Sequence, residues 1–366
     1  MTRILNICGA RPNFMKIAPL MRAYREHPGV EAKLVHTGQH YDAAMSKLFF
    51  EELELPEPDV NLHVGSGSHA QQTAAIMQKF EPIVLDFKPD WVVVVGDVNS
   101  TVACALVATK LGVKVAHVEA GLRSFDRTMP EEINRVVVDS ISDLLLVSEP
   151  SGVENLRREG VPEHKIKFVG NVMIDTLLQH RERSKWSTVL SDHGLKPKGY
   201  VTVTLHRPSN VDDPASLRRL LGVFEQVGKE MPVVFVVHPR TRGKLDELAK
   251  DAPLPAGLKL VSPLGYLDFM ALTDNSFAVM TDSGGIQEET TILGVPCLTL
   301  RENTERPVTI TQGTNHLVGV DPKNILKTWH AVRNGPMGRM GTPELWDGNA
   351  GRRIASELLT TPASAT

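Results

Sequence analysis

Three acidic residues stand where their side chains could share one site. Asp97 and Glu119 follow the apolar runs Trp91–Val95 and Lys114–Val118, and Glu131 stands at the start of a predicted helix. An acid at the end of a strand can instead cap the next helix, and an acid in a first turn can serve only the helix dipole. Neighbouring carboxylates, however, raise one another's pKa toward neutrality, which suits proton transfer. The three residues are therefore candidates for general acid and base catalysis.

Two histidines in the second half of the chain each follow a predicted strand and have an arginine close by. His206 comes after the predicted strand Tyr200–Leu205, and His238 comes after Val233–Val237. A single histidine is more often structural than catalytic, but two such pairs at successive strand ends indicate an anion site. These side chains can hold a diphosphate or donate a proton to it. The further cations near the first predicted strand are Arg11 and Lys16.

The sequence Thr-Asp-Ser-Gly-Gly-Ile-Gln-Glu-Glu at Thr281–Glu289 predicts a turn between a strand and a helix. Gly284 and Gly285 have no Cβ, so a ligand can approach the main chain, and the helix start favours an anion such as a diphosphate. Ser283 belongs to the same turn. Glu289, one helical turn later, can accept hydrogen bonds from a vicinal diol such as ribose. A capped turn without a ligand is the simpler alternative.

Predicted strands and helices alternate along the chain, and the polar residues above stand at the carboxyl ends of the strands. This is the pattern of an α/β protein with doubly wound, Rossmann-like parallel sheets, whose ligands bind at those ends. Two such domains facing across a cleft indicate a glycosyltransferase-B-type fold. The main predicted strands are Ile4–Cys8, Lys33–Thr37, Trp91–Val95, Lys114–Val118, Leu144–Val147, Ile166–Val169, Tyr200–Leu205, Val233–Val237, Leu258–Val261, Phe277–Met280 and Cys297–Leu300.

The length of 366 residues predicts two domains, each large enough for its own core. We place an N-terminal Rossmann-like domain at 1–171, a linker region at 172–199, a C-terminal Rossmann-like domain at 200–350, and a last helix with a disordered tail at 351–366. The linker is predicted because the apolar pattern loosens there and Lys196-Pro197-Lys198-Gly199 interrupts it.

Composition and charge exclude several classes of protein. The formal net charge is -3 and no run of lysine or arginine is present, so we expect no nucleic-acid partner. Cys8, Cys104 and Cys297 are far apart in apolar runs, which predicts small buried residues rather than disulfides or a zinc site. No segment is apolar for the length of a membrane span, and the stretch Met1–Cys8 is too short and too soon interrupted by Gly9 and Arg11 to be a signal peptide. We therefore expect a cytoplasmic protein without membrane contact. Because metal-binding and Walker motifs are absent from the sequence, we expect no metal and no cofactor.

Motifs spread over nearly the whole chain resemble those of the non-hydrolysing UDP-N-acetylglucosamine 2-epimerases. The two most specific are His-Val-Glu-Ala-Gly-Leu-Arg at His117–Arg123 and Asp-Ser-Gly-Gly-Ile-Gln-Glu-Glu at Asp282–Glu289. Chance or a shared fold alone would not produce both together with the others in order. The other matching stretches are Gly9–Pro12, Thr37–His40, Gly96-Asp97, Pro130–Arg135, His206-Arg207 and Thr304–Pro307.

The resemblance implies inversion at C2 of a UDP-sugar, which interconverts UDP-N-acetylglucosamine and UDP-N-acetylmannosamine. No carbonyl flanks C2–H, so direct deprotonation is difficult. The family eliminates UDP to give a 2-acetamidoglucal and adds UDP back, with the proton returned to the other face. The family also implies a homodimer and a role in envelope polysaccharide synthesis. The positions that match its catalytic group are Asp97, Glu119, Glu131 and His206, and the sequence leaves open which one removes the C2 proton.

The resemblance also implies substrate contacts in both halves of the chain, with UDP bound by the C-terminal domain. Phe269 matches a position on the uracil side, and Leu264 stands where relatives can carry a glutamine, so at most a main-chain contact remains there. Arg135 and His238 are further candidate substrate-binding residues. Nucleotide and diphosphate contacts are implied for Arg11, Lys16, Ser283, Gly284, Gly285, Glu289 and Arg306.

Two departures from the family pattern bear on substrate and regulation. The segment between Glu119 and Glu131 is shorter than in many members, a variant also found in relatives that act on UDP-2,3-diacetamido sugar acids. The alternative function is therefore the same epimerisation of UDP-2,3-diacetamido-glucuronic acid. Asp42 and Pro208 replace residues that bind an activating second UDP-N-acetylglucosamine in bacterial members, so we expect that site to be altered or absent. More distant alternatives are a UDP-sugar glycosyltransferase and a nucleotide-sugar sensor without catalysis.

Overall fold

A computed structural model describes residues 1–38, 50–251, 253–335 and 341–361 of the chain. The chain divides into two compact units, Met1–Gln179 with Glu344–Thr366, and His180–Pro343. The region predicted as a linker, 172–199, contains the helices Val172–Ser184 and Val189–Asp192, and the division falls inside the first of them. The stretch from Glu344 onward belongs to the N-terminal unit, whereas the sequence-based boundaries put 344–350 in the C-terminal domain.

The described part of the N-terminal unit contains one parallel sheet. Its strands are β1 (Thr2–Cys8), β2 (Val30–His36), β3 (Val60–Asn61), β4 (Trp91–Val95), β5 (Lys114–Ala120), β6 (Leu144–Val147) and β7 (Ile166–Phe168). They lie in the order β3-β2-β1-β4-β5-β6-β7, and each pair is parallel. The helices are α1 (Arg11–Arg25), α2 (His69–Phe87), α3 (Asn99–Lys110), α4 (Pro130–Ile141), α5 (Pro150–Arg158) and α6 (Val172–Ser184).

The apolar strand β4 lies at the centre of this unit. All its residues are buried, as expected for a continuous run of β-branched and aromatic side chains in a central parallel strand. Helix α3 is buried along most of its length, and its small residues Ala103, Cys104 and Ala105 allow close packing in the core that includes Val92 and Val94. The ends of β4 and β5 are therefore anchored in a close-packed core.

The C-terminal unit repeats this architecture with a second parallel sheet. Its strands are β8 (Val201–Thr204), β9 (Val233–Val236), β10 (Leu258–Val261), β11 (Ala278–Thr281), β12 (Cys297–Thr299) and β13 (Asn315–Leu317), in the order β10-β9-β8-β11-β12-β13. The helices are α7 (Val189–Asp192), α8 (Pro208–Val211), α9 (Pro214–Gly228), α10 (Pro239–Asp251), α11 (Tyr266–Asp274), α12 (Gly284–Leu293), α13 (Val308–Thr311) and α14 (Pro322–Asn334). The predicted fold class, an α/β protein with two doubly wound sheets, is confirmed.

The end of the chain packs on the N-terminal unit through the last helix, α15 (Ala350–Thr360). Asp175 on α6 accepts hydrogen bonds from the N–H groups of Ala350, at 3.1 Å, and Gly351, at 2.7 Å. These groups have no partner within their own helix, so the carboxylate caps it. The buried Trp346 donates its Nε1–H to the carbonyl oxygen of Ser148 at 2.9 Å.

Two simpler predictions concern the cysteines and the membrane. Cys8, Cys104 and Cys297 are buried and form no disulfide, as predicted from their apolar surroundings. Burial raises the pKa of the Cys297 thiol to about 11, so this thiol stays protonated at neutral pH. None of the helices in the described residues combines the length and the hydropathy of a membrane span.

Candidate functional site

Each sheet reverses its strand order between two central strands, and predicted site residues follow those strands. In the N-terminal unit the reversal lies between β1, which precedes the helix with Lys16, and β4, which precedes Asp97. In the C-terminal unit it lies between β8, which precedes His206, and β11, which precedes Ser283. Open parallel sheets bind ligands at the carboxyl ends of strands where the order reverses. The topology therefore gives each unit one place for a ligand.

A buried ion pair occupies this place in the N-terminal unit. Lys16 Nζ contacts Glu119 Oε2, and only 9% and 3% of the two side chains are exposed. Gly96, with a φ of 66°, packs directly against the pair. A Cβ at this position would lie 2.9 Å from Lys16 Nζ and 3.4 Å from Glu119 Oε2. Both the backbone conformation and the space therefore require glycine at position 96.

Glu119 has an unusual backbone conformation. Its φ is 70°, in the left-handed region that residues with a side chain rarely adopt. The pairing of β5 with β6 shifts register between Val118 and Ala120, so Glu119 forms a bulge in the strand. Such a conformation costs about 1–3 kcal/mol and persists where the surrounding structure holds it, often at functional sites. The bulge places the Glu119 carboxylate on Lys16.

Helix α4 holds the second predicted acid, Asp97. Arg135 Nε and Nη2 each lie 2.9 Å from Asp97 Oδ2, and Asn134 donates its side-chain N–H to the Asp97 carbonyl oxygen at 2.8 Å. The Arg135 side chain is only 3% exposed, whereas that of Asp97 is 27% exposed. Arg135, predicted to bind substrate, thus fixes the orientation of Asp97 and leaves its carboxylate accessible.

The adjacent acids Glu131 and Glu132 have different surroundings. Glu132 is buried and accepts hydrogen bonds from the backbone N–H of Ser124 and of Phe125, each at 2.9 Å, and from the Arg135 guanidinium. Glu131 is half-buried, and its carboxylate makes no hydrogen bond or ion pair among the residues that the structure describes. Glu132 therefore holds the short 124–129 segment, and Glu131 is left available for proton transfer.

In the C-terminal unit, Asp282 organises the loop that carries His206. Its carboxylate accepts the backbone N–H of His206, at 3.1 Å, and of Arg207, at 3.0 Å, and its Oδ1 lies 2.7 Å from His206 Nδ1. Burial alone would raise the pKa of Asp282, but His206, the Arg207 N–H and Asn210 hold it below its ordinary value. The ionised carboxylate therefore makes Nδ1 a donor, and Nε2 of the 56%-exposed His206 side chain is the nitrogen that can exchange a proton with a ligand.

The predicted turn Ser283–Gly285 begins helix α12 and packs on buried charged residues. The side chain of its first residue makes no capping hydrogen bond. A Cβ on Gly284 would lie 2.4 Å from Arg306 Nη1 and 2.8 Å from Glu305 Oε1. Arg306 Nε lies 2.7 Å from Glu288 Oε1, and Arg306 Nη1 contacts Glu305. Arg306, predicted to contact the diphosphate, is thus paired with two acids directly against the turn.

Glu289 lies on the same helix and is nearly inaccessible. Its side chain is 4% exposed, and the Tyr266 hydroxyl donates to its Oε1 at 3.3 Å. Burial raises the pKa of Glu289 to about 7, and the neighbouring Glu288 adds to this effect. A desolvated carboxylate with few donors gains from the hydroxyl groups of a ligand, which fits the predicted contact with a ribose.

The remaining predicted residues lie elsewhere in the two units. Arg11 is the first residue of α1, and the exposed His238 follows β9. Leu264, just before α11, packs against the small core that includes Leu272, and Phe269 is half-buried on α11. Three residues of the resemblance lie outside the described residues: Gln39, His40 and Asp42.

Two buried acids that organise loops next to predicted site residues, Glu132 in the N-terminal unit and Asp282 in the C-terminal unit, are not among the residues predicted from the sequence. Each stands next to a predicted site residue and within a motif shared with the family. A sequence does not show which of two adjacent acids is buried, because burial depends on the loop that packs against it. The sequence signal that could have identified these two acids is their position within motifs shared with the family.

The chain is similar to known proteins along nearly its whole length. The sequence profile described as UDP-N-acetylglucosamine 2-epimerase matches residues 22–359. The UDP-N-acetylglucosamine 2-epimerase of Methanocaldococcus jannaschii is 43% identical over 364 residues, which cover 96% of this chain and 97% of that protein. The UDP-2,3-diacetamido-2,3-dideoxy-D-glucuronate 2-epimerase of Pseudomonas aeruginosa is 42% identical over 320 residues, which cover 87% of this chain and 88% of that protein.

A solved structure agrees with these sequence similarities. It is the crystal structure of the Methanocaldococcus jannaschii UDP-GlcNAc 2-epimerase in complex with UDP-GlcNAc and UDP. The TM-score is 0.91 at 41% sequence identity, and the match covers 98% of this chain and 99% of that chain.

Proposed function

This chain belongs to the UDP-N-acetylglucosamine 2-epimerase family, and we propose that it converts UDP-N-acetylglucosamine to UDP-N-acetylmannosamine reversibly. The observation that carries the proposal is the buried pair of Lys16 and Glu119 against the turn that bears Asp97. This arrangement supplies fixed carboxylates for proton transfer at the strand ends where an α/β sheet binds its ligand.

The reaction consists of an elimination and an addition. In the elimination a base takes the C2 proton, the C2–H electrons form the C1–C2 double bond, and the C1–O electrons leave with UDP. In the addition UDP oxygen bonds to C1 and a proton is delivered to C2 on the opposite face. The enzyme therefore needs a proton acceptor and a proton donor on different faces of the sugar, and must keep UDP bound in between.

The three candidate acids of the N-terminal unit supply the proton-transfer groups. Glu119 is fixed by Lys16 and Asp97 by Arg135, which holds their oxygen atoms in defined places. Fixed geometry matters because a reacting group displaced by an ångström can lose about 10²-fold in rate. Glu131 has no such partner among the described residues, so its carboxylate can move with the reaction.

The C-terminal unit supplies the groups that hold UDP. The start of α12 at Gly284 offers backbone N–H groups and a positive dipole end to the diphosphate. His206 can donate a proton to the departing UDP oxygen, because the contact of its Nδ1 with Asp282 fixes the orientation of the ring. Glu289 accepts hydrogen bonds from the ribose hydroxyls.

Incubation with UDP-N-acetylglucosamine alone, followed by proton NMR of the sugars, tests the proposal. A new C2 epimer at equilibrium supports it. Conversion that requires an added sugar acceptor would identify a glycosyltransferase instead, and binding without any conversion would identify a sensor.

The alternative substrate, UDP-2,3-diacetamido-glucuronic acid, has specific support. The 42% identity to the Pseudomonas aeruginosa enzyme is close to the 43% identity to the Methanocaldococcus jannaschii enzyme. The 124–129 segment, whose short length motivates this alternative, is fixed at its start by hydrogen bonds from the N–H groups of Ser124 and Phe125 to Glu132. The larger kcat/KM, measured with each sugar under the same conditions, decides between them.

A homodimer, a cytoplasmic location, an altered activator site and a role in envelope polysaccharide synthesis stay predictions.

A further inference from the structure

His117 connects three elements of the N-terminal unit and has no place in the chemistry above. It lies on β5, two residues before Glu119, and is completely buried. Its Nδ1 is 2.6 Å from Asp139 Oδ1 on α4, and its Nε2 is 2.8 Å from the carbonyl oxygen of Gly96. Gly96 directly precedes Asp97, so the ring joins the ends of the two strands that carry both fixed acids.

Each ring nitrogen of His117 faces an oxygen atom. A carbonyl oxygen can only accept, so Nε2 carries a hydrogen where it meets Gly96. Burial alone would raise the pKa of Asp139, but His117 and Arg123 hold it below its ordinary value, so the carboxylate is ionised. Arg123 holds Asp139 from the other side, since Arg123 Nη1 lies 2.7 Å from Asp139 Oδ2 and Arg123 Nη2 lies 2.7 Å from Glu159 Oε2.

The same pair reaches the turn on the other side of Glu119. Asp139 Oδ2 accepts the backbone N–H of Gly121 at 2.9 Å. Gly96 and Gly121 are both left-handed, with φ values of 66° and 79°. The two hydrogen bonds thus hold the backbone immediately before Asp97 and two residues after the strained Glu119.

We propose that His117 and Asp139 are positioning residues that hold the Asp97 and Glu119 carboxylates for proton transfer at C2. The proposal rests on the proposed function. A left-handed residue such as Glu119 stays strained only while its surroundings hold it. Without the bond from Asp139 to Gly121, the bulge at Glu119 can relax and turn the carboxylate away from Lys16. Without the bond from His117, the turn before Asp97 can shift in the same way.

Asp143 offers a matched control for a role in stability alone. Its Oδ2 accepts the backbone N–H of Val115 at 2.9 Å, at the end of β5 remote from Glu119. Asp143→Asn and Asp139→Asn therefore make the same chemical change at opposite ends of one strand. If His117 and Asp139 act on stability alone, their substitution reduces the amount of folded protein. If they are positioning residues, their substitution lowers kcat of the protein that is folded.

The test compares Asp139→Asn, His117→Gln and Asp143→Asn in the full-length protein, with rates expressed per UDP-binding site. We expect kcat to fall by up to about 100-fold in the first two variants, with KM and UDP affinity unchanged. Asp143→Asn should keep the kcat of the wild type. Equal kcat values in Asp139→Asn and Asp143→Asn would overturn the proposal. If the wild type epimerises neither sugar, the proposed function fails, whatever the variants do.

A second measurement needs neither activity nor a folded variant. Nitrogen-15 NMR of the wild type, with the His117 ring assigned through its backbone, reports whether Nε2 carries a hydrogen. We expect a hydrogen on Nε2, because the carbonyl oxygen of Gly96 can only accept. A bare Nε2 would overturn the proposal, because the hydrogen bond to the turn before Asp97 would then be absent.

Discussion

At the scale of single residues, hydrogen-bond partners decide the charge of the buried acids in the C-terminal unit. Burial pushes the pKa of both Asp282 and Glu289 upward. Asp282 is surrounded by donors, including His206, that outweigh this effect, so it is ionised at neutral pH. Glu289 has the single hydroxyl of Tyr266, and its pKa remains at about 7. Asp282 is thus an ionised acceptor next to His206, and Glu289 can receive hydrogen bonds from a ligand.

Replacing Glu289 by Gln should remove a pH dependence of stability. The pKa is about 7 in the folded protein against an ordinary value of 4.5, and the folded value is the higher one. The contribution of Glu289 to stability is therefore fully present below pH 4.5 and is lost as the pH rises through about 7. Urea unfolding of the wild type should show a loss on the order of 3 kcal/mol from this group across that range.

Glu225→Gln is the control for this measurement, since Glu225 lies on the surface of the same unit with 56% of its side chain exposed. Its unfolding free energy should follow that of the wild type at every pH, whereas Glu289→Gln should show a flatter profile. An identical decline in all three proteins would contradict the assignment of a raised pKa to Glu289.

Asp282→Asn should impair catalysis through His206. The amide keeps the shape of the side chain but removes the carboxylate that accepts from His206 and fixes the orientation of its ring. We expect kcat to fall on the order of 10²- to 10⁴-fold, the range for the loss of a general acid. Asp274→Asn, which removes a carboxylate paired with Arg181 elsewhere in the unit, serves as the control. Normal turnover by Asp282→Asn would refute the role of His206 as a proton donor.

At the scale of elements, the candidate site residues of each unit lie in turns that follow strands. The Ser283–Gly285 turn starts a helix against the paired Arg306, and Gly284 leaves no room for a side chain. In the N-terminal unit, the turn after β4 packs Gly96 against Lys16 and Glu119 in the same manner. In both turns a glycine lies against charged side chains that leave little room for a Cβ.

Gly284→Ala should destabilise the C-terminal unit by about 1–3 kcal/mol, because the added methyl group collides with Arg306 and Glu305. UDP affinity should fall as well, since the helix start shifts. Gly222→Ala, in the interior of α9, has no atom within 4 Å of the added Cβ and should stabilise the protein by roughly 0.5–1 kcal/mol. Thermal unfolding separates the two. A neutral Gly284→Ala would show that Arg306 does not fill this space.

Elements were largely predictable from the sequence, and the conformations inside the site were not. Apolar runs such as Trp91–Val95 identify strands because a central parallel strand is buried on both faces. The bulge at Glu119 leaves no such pattern, because an ordinary glutamate is held in a left-handed conformation by contacts from distant residues. The same holds for Arg135, whose pairing with Asp97 depends on how α4 packs.

At the scale of the whole molecule, the last helix of the chain packs on the N-terminal unit. Trp346 and helix α15 pack there, although more than 160 residues of the C-terminal unit, His180–Pro343, separate them from α6. Local sequence patterns do not reveal this return, because it depends on contacts such as that of Asp175 with Gly351, far apart in the chain. The stability of the N-terminal unit should therefore depend on the end of the chain.

Trp346→Ala should cost about 3–5 kcal/mol of unfolding free energy, because it empties a buried site and leaves the carbonyl of Ser148 without its donor. Trp186→Ala is the matched control: its side chain is 88% exposed, so the change should stay within about 0.5 kcal/mol. Chemical denaturation, followed by far-UV circular dichroism, measures both. Equal effects of the two substitutions would argue against the role of the last segment in the N-terminal unit.

The most direct test of the proposed elimination and addition is incubation with UDP-N-acetylglucosamine in deuterated buffer, with NMR of the C2 position. We predict that deuterium enters C2 as the two epimers approach equilibrium, because the proton taken from one face is replaced from a group that exchanges with solvent. Glu119→Gln should bind UDP and incorporate no deuterium. Epimerisation that retains the original C2 hydrogen, or normal incorporation by Glu119→Gln, would contradict the account.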